Sequence, residues 1–196
     1  MLVELASTPV AAGLFFLYIK DKYEKEPWKM LFLGVLFGLY TAAVVYALGS
    51  FLEERFPHEE TPFYTAFFSS AGVEEAVKFL FLFFLIWGNR NFNEPLDGIV
   101  YGVFVSLGFA WAENVIYVTH PILGGYETAL ERALLSVPGH GLFGVLSGYR
   151  CAELGIDWIF WLRFSHNPVS WKPVLAGKSD FCAGRLVRSV VPDAVS

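Results

Sequence analysis

Apolar positions along the chain gather into five long runs, and polar positions into the short stretches between them. The runs extend from Leu5 to Ile19, Trp28 to Leu52, Phe63 to Trp87, Asp97 to Thr119 and Thr128 to Tyr149. About 20 apolar residues cross a bilayer as a helix. The pattern therefore predicts an all-α fold, a polytopic transmembrane helical bundle of about five spans with a short atypical tail. The first run is expected to be an uncleaved span and not a leader, because Glu4 stands where a leader carries basic residues and four lysines follow it.

The stretches between the runs set an orientation. Lys20, Lys22 and Lys25 fall between the first two runs and Lys29 at the start of the second. The next stretch, 53–61, holds four acids and only Arg55. Arg90 follows the third run, no Lys or Arg lies between the fourth and fifth, and Arg150 follows the fifth. Positive charge in alternate loops puts the lysine stretch in the cytoplasm and the N-terminus outside. The expected location is a cell membrane, multi-pass, of the bacterial or archaeal cytoplasmic type. Gly34/Gly38, Gly98/Gly102 and Gly144/Gly148 repeat a four-residue spacing that lets apolar helices approach closely.

Composition agrees with the pattern. Of 196 residues, 55% are hydrophobic and only 17% charged, well below the about 25% of soluble domains. No basic stretch suggests nucleic acid, and the expected surroundings are the lipid bilayer and a membrane-protein partner. Cys151 and Cys182 form no metal-binding or redox spacing. After Tyr149 the character changes: the last 47 residues hold four of the seven arginines and both cysteines. Two units are expected, 1–149 as the bundle and 150–196 as an interfacial or disordered tail, or the product of a frameshift.

Ionisable side chains inside the runs carry the candidate chemistry. A charge at mid-membrane costs roughly 2.5–3.5 kcal/mol even on the lenient insertion scale, so such residues face a bundle interior or a wet cavity. Glu74 and Glu75 lie in the middle of the third run, with Lys78 one turn later, at the spacing of helical neighbours. One ammonium between two crowded carboxylates suits general acid–base work, or else a salt bridge that locks helices. By helix rise, Glu74 and His140 lie roughly 16 and 18 Å below the outer face, and Glu113 roughly 9 Å. His140 sits in Pro138-Gly139-His140-Gly141, expected to loosen the helix and line a cavity. Asn114 is expected to bond a backbone carbonyl, and Asp97 to cap the fourth helix. Arg132, at the outer end of the fifth run, is expected to snorkel. Glu74, Glu113 and His140 could together hold a divalent metal such as zinc, although no paired-histidine spacing is present.

At these residues the chain resembles the PrsW-type intramembrane proteases, relatives of the CAAX-processing and bacteriocin-immunity membrane proteases. The likeness runs from Asp21-Lys22-Tyr23-Glu24-Lys25-Glu26-Pro27 through Glu74-Glu75-x-x-Lys78, Asp97-Gly98-Ile99-Val100-Tyr101-Gly102 and Phe109-Ala110-Trp111-Ala112-Glu113-Asn114 to His140-Gly141-Leu142-Phe143-Gly144, and covers about residues 1–149. It implies peptide hydrolysis within the membrane, on a single-pass regulatory protein such as an anti-sigma factor in stress signalling. Glu74 and Glu75 would activate water; Glu113 and His140 would complete the site and steady the oxyanion. The family pattern continues with a second histidine followed by Tyr-Asp. Here His166 is followed by Asn167-Pro168, which implies an incomplete site and poor cleavage or none by this polypeptide.

A membrane-embedded endopeptidase is thus the leading expectation. Two alternatives stand beside it: an immunity-like binding protein that keeps the scaffold without cleaving, and an ion- or proton-coupled transporter. The internal repeats of secondary transporters are not visible in the sequence.

Overall fold

The computed structural model of the chain describes residues 1–20, 25–55, 71–87, 89, 92 and 95–165. Helices α1 (Leu2–Lys20), α2 (Trp28–Arg55), α3 (Gly72–Ile86), α4 (Pro95–Val118), α5 (Tyr126–Glu131) and α6 (Val137–Ser165) follow one another. A π-helical turn, Arg132–Ser136, joins α5 directly to α6. Among the described residues, Leu2–Lys20, Trp28–Phe51 and Leu96–Val118 are long and apolar enough to cross a membrane. The third run is described only from residue 71 onward, and 56–70 lie outside the described part.

Helix α4 is the centre of the bundle, packed against α1, α2, α3 and α6. Of its apolar span 61% is buried, against 11% for α1. That contrast separates a core helix from one at the edge of the described bundle. Between α2, α3 and α4 lies the main core, with Leu31, Val35, Leu82, Leu85, Ile86, Phe104 and Val105 all buried.

The glycine spacings mark the two tightest seams. Gly98 and Gly102 of α4 face Gly144 and Gly148 of α6, where a Cβ at Gly102 would fall 2.8 Å from the Gly148 Cα. Across α2 and α4, a Cβ at Gly38 would fall 2.8 Å from the Gly108 Cα. No side chain fits such separations, so backbone lies on backbone and gains dispersion along the seam. Polar ties close the other sides of α4. Tyr101 donates to the Glu26 carboxylate, and both residues are buried. Trp111 Nε1 donates to Ser7 Oγ at 2.8 Å and Asn114 Nδ2 to the Ala6 carbonyl at 3.3 Å, which fixes α1.

Two expectations about the fifth run change. Its helix does not end at Tyr149 but continues to Ser165, because 150–165 contain no proline to stop it. Residues 166–196, with His166 and Cys182, lie outside the described part. The loosening expected at Pro138–Gly141 lies one turn earlier, and 137–141 are regular helix. Pro138 has no N–H, and its ring would strike the Leu134 carbonyl in an ordinary α-helix. Widening the preceding turn removes the clash: the Val137 N–H bonds the Arg132 carbonyl, five residues back.

Candidate active site

Three helices bring the intramembrane charges together. α3 supplies Glu74, Glu75 and Lys78; α4 supplies Phe109, Glu113, Asn114 and Tyr117; the π-turn and α6 supply Arg132, Ser136 and His140. Lys78 is the inner anchor, only 2% exposed. Its ammonium lies 2.6 Å from Glu75 Oε1, 3.0 Å from His140 Nδ1 and 4.0 Å from Glu74 Oε2. Below it is the face of Phe109, 4.0 Å from the ring centre, a favourable seat for a desolvated cation. A buried ammonium is tolerated only with partners of this kind.

His140 is held on three sides. Lys78 has donors only, so Nδ1 accepts from it and the ring proton falls on Nε2. Nε2 then donates to Glu113 Oε2 at 2.9 Å, while the ring edge meets Phe109 with centroids 5.4 Å apart. The same Glu113 oxygen receives Arg132 Nη2 at 2.6 Å. One carboxylate oxygen thus takes two strong donors, and Oε1 takes neither.

The tandem glutamates are not equivalent. Glu74 lines a cavity of about 340 Å³ together with Tyr46, Phe109, Glu113, Tyr117 and Leu123. Glu75 turns to Lys78, and its Oε2 is buried and meets no donor among the described residues. A buried acceptor without a partner is costly in a purely structural salt bridge. One ligand atom each from Glu74, Glu113 and His140 lie within 4.8 Å of one another.

Most of the sequence-predicted residues converge here: Glu74, Glu75, Lys78, Glu113, Asn114 and His140. Asp97 does not. It is buried at the far end of α4, about 24 Å from Glu113 by helix rise. Nor is it the cap, since α4 already begins at Pro95 and Asp97 falls in its first turn, where the dipole still suits it. Asn114 bonds a backbone carbonyl, that of Ala6, as expected. Arg132 was expected at the headgroups and instead points inward, with a side chain 14% exposed. Sequence reasoning missed its part in the site, and that of Phe109 and Tyr117. Cys151 is a buried free thiol.

The molecule is thus a helical membrane protein with a carboxylate–imidazole centre enclosed between three of its helices. The chain belongs to the PrsW family: the profile described as PrsW family intramembrane metalloprotease matches residues 26–156. Similar proteins include the Protease PrsW of Geobacillus kaustophilus, 39% identical over 76% of this chain and 64% of that protein. The Protease PrsW of Bacillus subtilis is 37% identical over 76% of this chain and 66% of its own length, and that of Clostridioides difficile 33% identical over 74% and 62%. The chain therefore spans somewhat less than two thirds of these relatives. No solved structure matches it significantly.

The residues present fit a metal ion. Two carboxylates and one imidazole offer three protein ligands, the number zinc takes in catalytic sites with a position left open; His140 would ligate through Nε2 on losing the proton it now donates to Glu113. Counting Glu74, Glu75 and Glu113 against Lys78 and Arg132, the centre carries one excess negative charge, which suits a cation.

Proposed function

We propose that this chain is an endopeptidase that hydrolyses a peptide bond of a membrane-protein substrate within the bilayer, with a single-pass regulatory protein such as an anti-sigma factor as the substrate class. The observation that carries the reading is the convergence of Glu74, Glu113 and His140 within 4.8 Å of one another, with Glu74 and Glu113 lining a cavity. Glu74, Glu113 and His140 would hold a divalent ion such as zinc, which when bound acidifies water and polarises a carbonyl.

The chain's own residues divide the remaining work. Glu75 accepts the proton of the attacking water on its carboxylate, which Lys78 holds in place through Oε1. Water oxygen bonds to the scissile carbonyl carbon, and the proton passes from Glu75 to the leaving nitrogen as the carbon–nitrogen bond breaks. Phe109 and Lys78 fix the imidazole plane, and Asn114 anchors α4 against α1. The lysine stretch lies in the cytoplasm and the N-terminus outside, as the loop charges favour.

The test uses the full chain in proteoliposomes with a single-pass substrate, and mass spectrometry to find new termini. Cleavage that chelation stops and zinc restores supports the reading, as does its loss in His140→Ala. Cleavage that survives Glu74→Gln, Glu75→Gln and His140→Ala together would overturn it. So would the absence of cleavage with every divalent ion tried.

A further inference from the structure

We propose that Arg132 is a positioning residue for this centre, setting Glu113 and Asn114 in one arrangement through a single guanidinium; the inference rests on the reading of the site given above. An arginine near the end of a span ordinarily extends its head to the headgroups. Here Nη2 donates to Glu113 Oε2 at 2.6 Å and to Ser136 Oγ at 3.0 Å, and Nε donates to Asn114 Oδ1 at 2.7 Å. The guanidinium also lies over the Tyr117 ring, 4.4 Å from its centre.

The geometry needs an arginine. Donors fixed in one plane reach two adjacent residues of α4 at once, while the flat face stacks on the aromatic ring one turn further along. Lysine offers the charge without the fork. Asn114 is fixed at its other end by the Ala6 carbonyl, so the guanidinium rests on a side chain that cannot turn away. Glu113 is then held through one oxygen by Arg132 and His140 together, and Oε1 remains for a ligand or substrate. Groups that orient metal ligands from behind in this manner typically change metal affinity or activity 10- to 100-fold when altered.

The π-turn aims this side chain. Arg132 is its first residue, and its carbonyl takes the five-residue-back bond from Val137. Ser136 ends the same turn and accepts from the same guanidinium. A turn of this kind inside an α-helix commonly accompanies a functional site.

The experiment compares the full chain with Arg132→Lys and Arg132→Met in detergent. It reads zinc affinity by competition with a chromogenic chelator, kcat and KM on the single-pass substrate, and Tm. Positioning predicts that Arg132→Lys keeps Tm and KM close to those of the unaltered chain, while kcat and zinc affinity fall about tenfold or more. Its effect on zinc affinity should be non-additive with Glu113→Gln, because the two act through one carboxylate. Arg132→Lys with zinc affinity and kcat within about twofold of the unaltered chain overturns the proposal, as does a fall that merely follows Tm. If the unaltered chain binds zinc without cleaving, the peptidase reading fails and the affinity comparison still decides the role of Arg132. If it cleaves without binding zinc, kcat decides. If it does neither, both fall.

Discussion

At the scale of single residues, the division between Glu74 and Glu75 is the sharpest claim. Glu74 is one of three converging donors, whereas Glu75 is tied to Lys78 and keeps one buried oxygen without a donor among the described residues. Glu74→Gln should therefore lose both zinc binding and cleavage. Glu75→Gln should keep zinc binding and lose about 10² to 10⁴ in rate, the usual worth of a general base. Equal zinc loss in the two variants would show that they act as one ligand pair. Lys78→Met should destabilise the fold by about 1–3 kcal/mol, since it strips the partly buried Glu75 carboxylate of its counter-charge; thermal unfolding in detergent measures it. Much of this centre was legible in the sequence because charges inside apolar runs have few structural uses. Arg132 was not, because an arginine near a span end has an ordinary reason to be there. The available signal was Arg132, Ser136 and His140 at steps of four, which places all three toward one side of a helix.

Among the helices, packing follows from glycine where two backbones meet. The α4–α6 seam leaves no room for a side chain at Gly102 or Gly148. Gly102→Val should lower stability by about 1–3 kcal/mol, the usual cost of overpacking, and reduce cleavage with it because α4 and α6 carry Glu113 and His140. An unchanged Tm would mean the seam is looser than its geometry. The four-residue glycine spacing indicated close approach, yet it could not say which pairs face each other; the structure sets Gly98/Gly102 against Gly144/Gly148. The proline-glycine stretch marked an irregularity, but its position was displaced by one turn. A proline disturbs the carbonyl four residues before it, so the distortion appears upstream of the residue that causes it.

For the molecule as a whole, the alternation of apolar and polar stretches indicated an all-helical membrane bundle, and the structure and family agree. What the pattern left open was which helix is central. Hydropathy measures how well each segment suits a nonpolar surrounding, and neighbouring helices satisfy that demand as well as lipid does. The orientation makes a test at this scale. With the N-terminus outside, the α4–α5 connection is also outside, where Ile122 is 84% exposed, and Lys25 is in the cytoplasm. An impermeant thiol reagent applied to intact cells should label Ile122→Cys and spare Lys25→Cys. The opposite labelling would invert the molecule and move the part of the cavity lined by Tyr46 and Leu123 toward the cytoplasmic side.

The π-turn at Arg132–Ser136 also makes the chain's tolerance of shortening uneven. Deleting one residue from a regular helix turns everything beyond it by about 100° and shifts it 1.5 Å. A π-turn already contains a surplus residue, so losing one there returns the segment to α geometry and leaves both flanks in register. Deletion of Leu134, paired with Pro138→Ala to spare the carbonyl clash, should keep Glu113 and His140 opposed, whereas deletion of Leu146 should pull the α4–α6 seam apart. What this stretch holds constant is the direction its side chains face, and the count of residues between them is free to vary by one.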